Sequence, residues 1–157
     1  MVEKKKARNT VYLGYGSNMG DREENIRRAI DMTSALPSMR IEAVSDFIES
    51  KAAGFVGPDF VNCCARFSTS IPPETLLAEL KSIERKLGRD NEGVRLDGAG
   101  NRIYHSRPID IDILLYGDLA LVTPSLQIPH PRMLEREFVM TPLKQILTDV
   151  HLIENIV

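Results

Sequence analysis

The order of apolar segments in this 157-residue chain predicts an α+β fold. The expected plan is ferredoxin-like βαββαβ: an antiparallel sheet with two helices on one face, plus C-terminal additions. Three observations carry it. Apolar residues recur at helical spacing through Ile26, Ile30 and Thr33, and again through Leu76, Leu80, Ile83 and Leu87. Four stretches, beginning near Val11, Met39, Phe60 and Ile109, carry strand patterns instead. Along the chain these segments follow the order β, α, β, β, α, β.

The first ten residues hold Lys4, Lys5, Lys6 and Arg8 with no interleaved aromatic, which reads as a flexible basic tail ahead of one domain over 11–157. Val11-Tyr12-Leu13 and Tyr15 form a buried strand that stops at the turn Gly16-Ser17-Asn18. Asp21 followed by Glu24 is a capping pattern that opens the first helix, and Pro37 ends it. Met39, Ile41 and Ala43 alternate with Arg40, Glu42 and Val44, as a strand requires. A loop is expected at Ser50-Lys51-Ala52-Ala53-Gly54, and a strand from Phe60 to Ser70. Pro72-Pro73 then starts the second helix, where proline's missing amide costs nothing, and Gly88 ends it.

Arg89–Ser106 is glycine-bearing and charged with weak periodicity, the composition of a long functional loop. It is expected to be mobile without ligands and ordered with them. Ile109–Tyr116 is the clearest strand, Leu119–Val122 and Leu126–Ile128 read as shorter ones, and Arg132–Leu143 reads as a turn of helix followed by an irregular stretch.

Composition narrows the class. With 43% hydrophobic residues and a net charge of -2, the chain is neither disordered nor suited to wrapping nucleic acid. No apolar run approaches the ~18–20 residues that span a bilayer, and no signal-peptide stretch is expected at the N-terminus. Cys63 and Cys64 are adjacent, point to opposite strand faces, and cannot supply a four-ligand zinc site. A cytoplasmic, one-domain protein is expected.

The sharpest chemical feature is Arg107-Pro108-Ile109-Asp110-Ile111-Asp112-Ile113. On a strand, Asp110 and Asp112 leave one face while the isoleucines enter the core, with Cα atoms about 6.5–7 Å apart. Carboxylates at that spacing suit paired cations ~3.5–4 Å apart, and hard oxygen ligands suit Mg²⁺. The same alternation also describes a strand whose polar face meets water. Arg89, Arg95, Arg102 and Arg107 could grip phosphate oxygens bidentately or pair with Asp90, Glu92 and Asp97. His130, between two prolines, is either aimed at a ligand or structural, and Arg136 either meets phosphate or lies on a helix surface. Gly14-x-Gly16-Ser17-Asn18 lacks a Walker lysine and reads as a turn. By composition alone Phe60 and Phe138 are core residues.

Taken together, these residues resemble the 6-hydroxymethyl-7,8-dihydropterin pyrophosphokinase family from Val11 to Ile146. The resemblance rests on Gly16-Ser17-Asn18 with Gly20-Asp21, Phe60-Val61-Asn62, Glu84 to Gly88-Arg89, Arg107-x-x-Asp110-Ile111-Asp112-Ile113, Ile128-Pro129-His130-Pro131-Arg132-Met133, and Arg136 with Phe138. It implies ATP-dependent pyrophosphoryl transfer to the pterin hydroxymethyl group, AMP release, and a role in folate biosynthesis. It further implies that Asp110 and Asp112 hold two Mg²⁺ ions and that Arg89 and Arg107 reach the phosphates from the loop. Glu84, Ile113, His130 and Arg136 would face ATP. Phe60 and Phe138 would sandwich the pterin, with Asn62 on its edge and Gly16 and Ser50 behind it. A monomer acting on small molecules is expected, without nucleic acid or membrane. The chain departs from the family's Thr-x-Pro-x-Gly at Ser50–Gly54, and from its aromatic-Gly-Pro at Tyr104-His105-Ser106. Two other readings share these residues: a different Mg²⁺-dependent phosphotransferase, and a non-catalytic ferredoxin-like nucleotide-binding module.

Overall fold

A computed structural model describes residues 7–51, 59–88, 95–96, 102–103 and 108–154. Strand β1 (Asn9–Ser17) leads to helix α1 (Arg22–Ser34), then β2 (Arg40–Val44), β3 (Ile48–Ser50), β4 (Phe60–Thr69) and α2 (Pro73–Lys86). A two-residue pairing follows, β5 (Arg95–Leu96) with β6 (Arg102–Ile103), within the stretch expected to be a loop. Next come β7 (Asp110–Tyr116), the hairpin β8 (Leu121–Val122) and β9 (Gln127–Ile128), a 3₁₀ turn at Met133–Glu135, α3 (Glu137–Ile146) and α4 (His151–Glu154). The expectations for Arg89, Arg107, Ala52–Gly54, Tyr104–Ser106, the side chains of Arg95 and Arg102, and residues 1–6 of the tail lie outside the described residues. Among the described residues, no helix is long and apolar enough to cross a membrane.

The sheet order is β2–β4–β1–β7, with β3 also on β4 and every pair antiparallel, which is the expected split βαβ arrangement. Each helix follows from local chemistry. Asp21 Oδ1 accepts from the Glu24 amide at 3.2 Å, supplying one partner that the first turn of α1 lacks. Pro73 sits at the start of α2, and Gly88 takes φ +98° just past its end, a conformation glycine adopts without strain. Ile26, Ala29, Ile30, Leu76, Leu80 and Ile83 bury one stripe of each helix against Val11, Leu13, Val61, Phe67, Ile111 and Ile113.

The other face of the sheet is covered only in part. The Arg132–Leu143 stretch is not irregular after its first turn: α3 runs to Ile146 through Pro142. Proline inside a helix ordinarily costs about 3 kcal/mol. Tertiary packing offsets it, because Met133, Leu143 and Ile146 form a second apolar cluster with Tyr12, Cys64, Leu114 and Leu115. Arg66 Nη1 donates to the Ile146 carbonyl at 2.6 Å, satisfying an orphan acceptor at the helix end. A register shift in β7, opposite Tyr12 and Leu13, turns consecutive Leu114 and Leu115 into this cluster. Cys63 and Cys64 do divide between the two clusters.

The alternation read in β2 does not bury one face. Ile41 and Val44 are each 45% exposed, because β2 is a sheet edge with a bulge between Ile41 and Ala43.

Leu80→Ala should destabilise the fold by about 2–5 kcal/mol in urea unfolding, since Leu80 is fully buried between helix and sheet. Glu79→Ala, on the exposed side of the same helix, should shift stability by less than about 0.5 kcal/mol.

Candidate functional site

Helix α3 leaves part of its sheet face open, and the strand registers specify what lies there. Asp110 and Asn62 flank Gly16, while Asp112 and Cys64 flank Gly14. Directly opposite residues share a face. Two glycines therefore floor a trough on the central strand, with carboxylates along one side and Asn62 along the other. The floor is closely packed: a Cβ on Gly16 would crowd Asn62 Oδ1 at 3.2 Å, and one on Gly14 would touch Leu114 at 3.4 Å.

Around the trough opens a cleft of about 1140 Å³. Ser50, Phe60 and Asn62 line it from β3 and β4, Asp110 to Ile113 from β7, and His130, Arg136 and Phe138 from the C-terminal segment. The fold thus brings eleven sequence-predicted groups together: nine of the ten just named, Ile111 excepted, with Glu84 of α2, which also lines the cleft, and Gly16 in the trough floor. Phe60 and Phe138, core residues by composition, are instead half-buried at the cleft wall. They come from different elements, which is why composition alone misplaces them.

Polar contacts fix these groups. Asn62, only 6% exposed, donates from Nδ2 to Ser50 Oγ at 2.9 Å and to the Ile48 carbonyl at 3.4 Å. Its Oδ1 thereby turns toward Gly16 and the trough. Arg136 stacks its guanidinium 5.6 Å from the centre of the Phe138 ring, a cation–π contact that places a positive charge beside the aromatic wall.

Glu84 does more than face the cleft. It is 4% exposed, and its Oε2 accepts from the Ile111 amide at 2.9 Å. Ile111 lies between the two aspartates, so α2 grips β7 at the point where the carboxylates diverge from the core isoleucines.

His130 lines the cleft and is held there by backbone contacts. Its amide donates to the Leu114 carbonyl at 3.0 Å, and Nδ1 accepts from the Arg132 amide at 3.3 Å. The neutral ring therefore carries its proton on Nε2. Burial lowers its pKa below the ordinary histidine value; the nearby Asp112 charge opposes this, and Arg136 and Arg132 reinforce it.

Asp110 is half-buried and Asp112 exposed, both on the cleft. Among the described residues, no group of three or more histidine, cysteine or carboxylate side chains could hold a metal ion. A pair of hard oxygen donors fits Mg²⁺, which takes one or two carboxylates and completes its shell with water and phosphate.

Sequence reasoning missed part of the wall. Leu77 and Lys81 line the cleft with Glu84, at spacings of four and three along α2. They form a stripe one residue beyond the core stripe of Leu76, Leu80 and Ile83, a signal that the periodicity contains. Thr123 to Gln127 also line it, and Glu74 holds this hairpin by accepting from Thr123 Oγ1 at 2.9 Å and Ser125 Oγ at 3.0 Å. No motif marks those residues.

Comparison with known proteins follows the same lines. The family model for 7,8-dihydro-6-hydroxymethylpterin-pyrophosphokinase (HPPK) matches residues 12–148. A 2-amino-4-hydroxy-6-hydroxymethyldihydropteridine pyrophosphokinase of Porphyromonas gingivalis is 36% identical over 143 residues, covering 90% of this chain and 92% of that protein. One from Aquifex aeolicus is 39% identical over 142 residues, covering 90% and 82%. In fold, the chain matches a crystal structure described as HPPK-DHPS in complex with substrates, with TM-score 0.63 and 14% identity. That match covers 89% of this chain and 40% of the solved one.

Two measurements check the site's electrostatics and anchoring. In the metal-free protein, the His130 ring should titrate by NMR below about 6.5. Because the unfolded chain then binds the proton more readily, this residue's contribution to stability should decline as pH falls from about 6.5 through the lower folded value. Glu84→Leu should cost about 1–3 kcal/mol in urea unfolding by leaving the Ile111 amide without its acceptor, and Glu84→Gln should cost less.

Proposed function

Because this chain belongs to the 7,8-dihydro-6-hydroxymethylpterin-pyrophosphokinase family, we propose that Asp110 and Asp112 hold the magnesium of its ATP substrate. The reaction is ATP-dependent pyrophosphoryl transfer to the hydroxymethyl group of 6-hydroxymethyl-7,8-dihydropterin, with release of AMP, in folate biosynthesis. The hydroxymethyl oxygen attacks the β-phosphorus, the bond to the α,β-bridging oxygen breaks, and AMP departs. Asp110 and Asp112 would hold two magnesium ions, whose charge would offset that of the phosphate oxygens.

One observation supports the assignment above all: both carboxylates and the Phe60–Asn62–Phe138 group open onto one cleft, with a glycine floor between them. The flat pterin is assigned to the trough, stacked between Phe60 and Phe138 with Gly16 and Ser50 behind it. Asn62 Oδ1 accepts from its edge, since Nδ2 is already engaged. ATP is assigned to the β7 side, against Glu84, Ile113, His130 and Arg136. Arg89 and Arg107 are assigned to the phosphates, where guanidinium forks match the oxygens. The enzyme is assigned as a monomer that acts on these small molecules in the cytoplasm.

Asp110→Asn and Asp112→Asn should each lower AMP release from ATP and hydroxymethyldihydropterin by about 100-fold or more. Their unfolding transitions should match the parent, because the side chains are not core groups. Wild-type turnover in either variant, or ATP cleavage indifferent to the pterin, would overturn the assignment.

A further inference from the structure

The Gly16–Asp21 motif leads into Arg22, a side chain that the assigned chemistry does not use. Gly20 takes φ +70°, Asp21 caps α1, and Arg22 is the first residue of that helix. From there its guanidinium crosses to the β3–β4 pair. Nη1 donates to the Asp59 carbonyl at 2.7 Å, and Nη2 meets Glu49 Oε1 at 3.4 Å. Asp59 immediately precedes β4, and Glu49 is the middle residue of three-residue β3. One side chain thus joins both strands at their open end.

The register shows what this fixes. Ser50 opposes Phe60, and Ile48 opposes Asn62. Strand alternation puts Glu49 and Val61 on the helix side and Ser50, Phe60 and Asn62 on the cleft side. A strand as short as β3 has little pairing energy of its own, so the gap between it and the start of β4 depends on such ties. Among the described residues, the other side-chain tie between them is Asn62 to Ser50 Oγ and the Ile48 carbonyl. Arg22 works from one face and Asn62 from the other.

We infer that Arg22 is a positioning residue for the pterin: by holding the Asp59 carbonyl against α1, it sets where Phe60 and the Ser50–Asn62 pair meet the ring. This rests on the assignment of those three residues to the pterin. The two contacts of Arg22 are not equal. The ion pair with Glu49 is solvent-facing, with side chains 31% and 67% exposed, and such pairs contribute little. The charge-assisted bond to a carbonyl at 2.7 Å is the stronger of the two. Removing Glu49's charge should therefore change little, while removing the Arg22 donors should be felt in the trough.

The test uses Arg22→Met, which keeps the aliphatic stem but has no donors; Arg22→Lys, which keeps one charged donor; and Glu49→Gln. Phe60→Ala serves as a check on the pterin assignment. Steady-state kinetics with each substrate varied, and thermal melting, are measured on the full chain. Arg22→Met should raise KM for hydroxymethyldihydropterin about tenfold while KM for ATP changes less than about twofold. Arg22→Lys should recover most of the loss, and Glu49→Gln should stay within about twofold of the parent. A purely structural role for Arg22 would lower the melting temperature without separating the two KM values, and would overturn the inference. So would an unchanged pterin KM in Arg22→Met when Phe60→Ala raises it, or an equal rise in Glu49→Gln. If Phe60→Ala also leaves the pterin KM unchanged, the pterin assignment falls, and the inference with it.

Discussion

Ile109, Ile111 and Ile113 enter the helix-side core because burial of such side chains is favourable by about 1.5–3 kcal/mol each. The pleat then sends Asp110 and Asp112 to the other face, whatever chemistry awaits there. A slip of one residue would bury both carboxylates and expose three isoleucines, so the register is strongly specified. Glu84 reinforces it by accepting the Ile111 amide from the helix side. The acidic pair is thus held in place by the apolar packing behind it.

The second determinant is incomplete coverage. Helices α1 and α2 close one face of the sheet, whereas α3 closes only the end lined by Tyr12, Cys64, Leu114 and Leu115. The open remainder has glycines on its central strand and chemically active side chains on the strands beside it. The glycine-floored trough and the cleft wall along β7 and α2, to which pterin and ATP are assigned above, thus follow from one arrangement.

Much of this was legible in the chain. The periodicities of α1 and α2, the Asp21 cap and the β7 alternation are local signals, and the fold follows them. The Asp-x-Asp pair was readable because strand geometry is regular. Helix α3 was not, since Pro142 interrupts its propensity and contacts with distant residues such as Tyr12, Leu114 and Arg66 stabilise it. Phe60 and Phe138 lie 78 positions apart in the chain, so no window-based pattern joins them. The family resemblance did, because it carries three-dimensional information that composition lacks. The short strands on either side of Thr123–Gln127 were readable, but the place of that turn in the cleft wall was not, because Glu74, from a distant helix, holds it.

The two aromatic walls have different foundations. Phe60 belongs to the sheet, but Phe138 rides on a helix seated through Cys64, Leu114, Met133 and Leu143. The gauge of the slot between them is therefore a property of that hidden seat. Repacking it by a single methylene should shift Phe138 and so alter which flat rings fit the slot, without any change to Phe60 or Phe138 themselves.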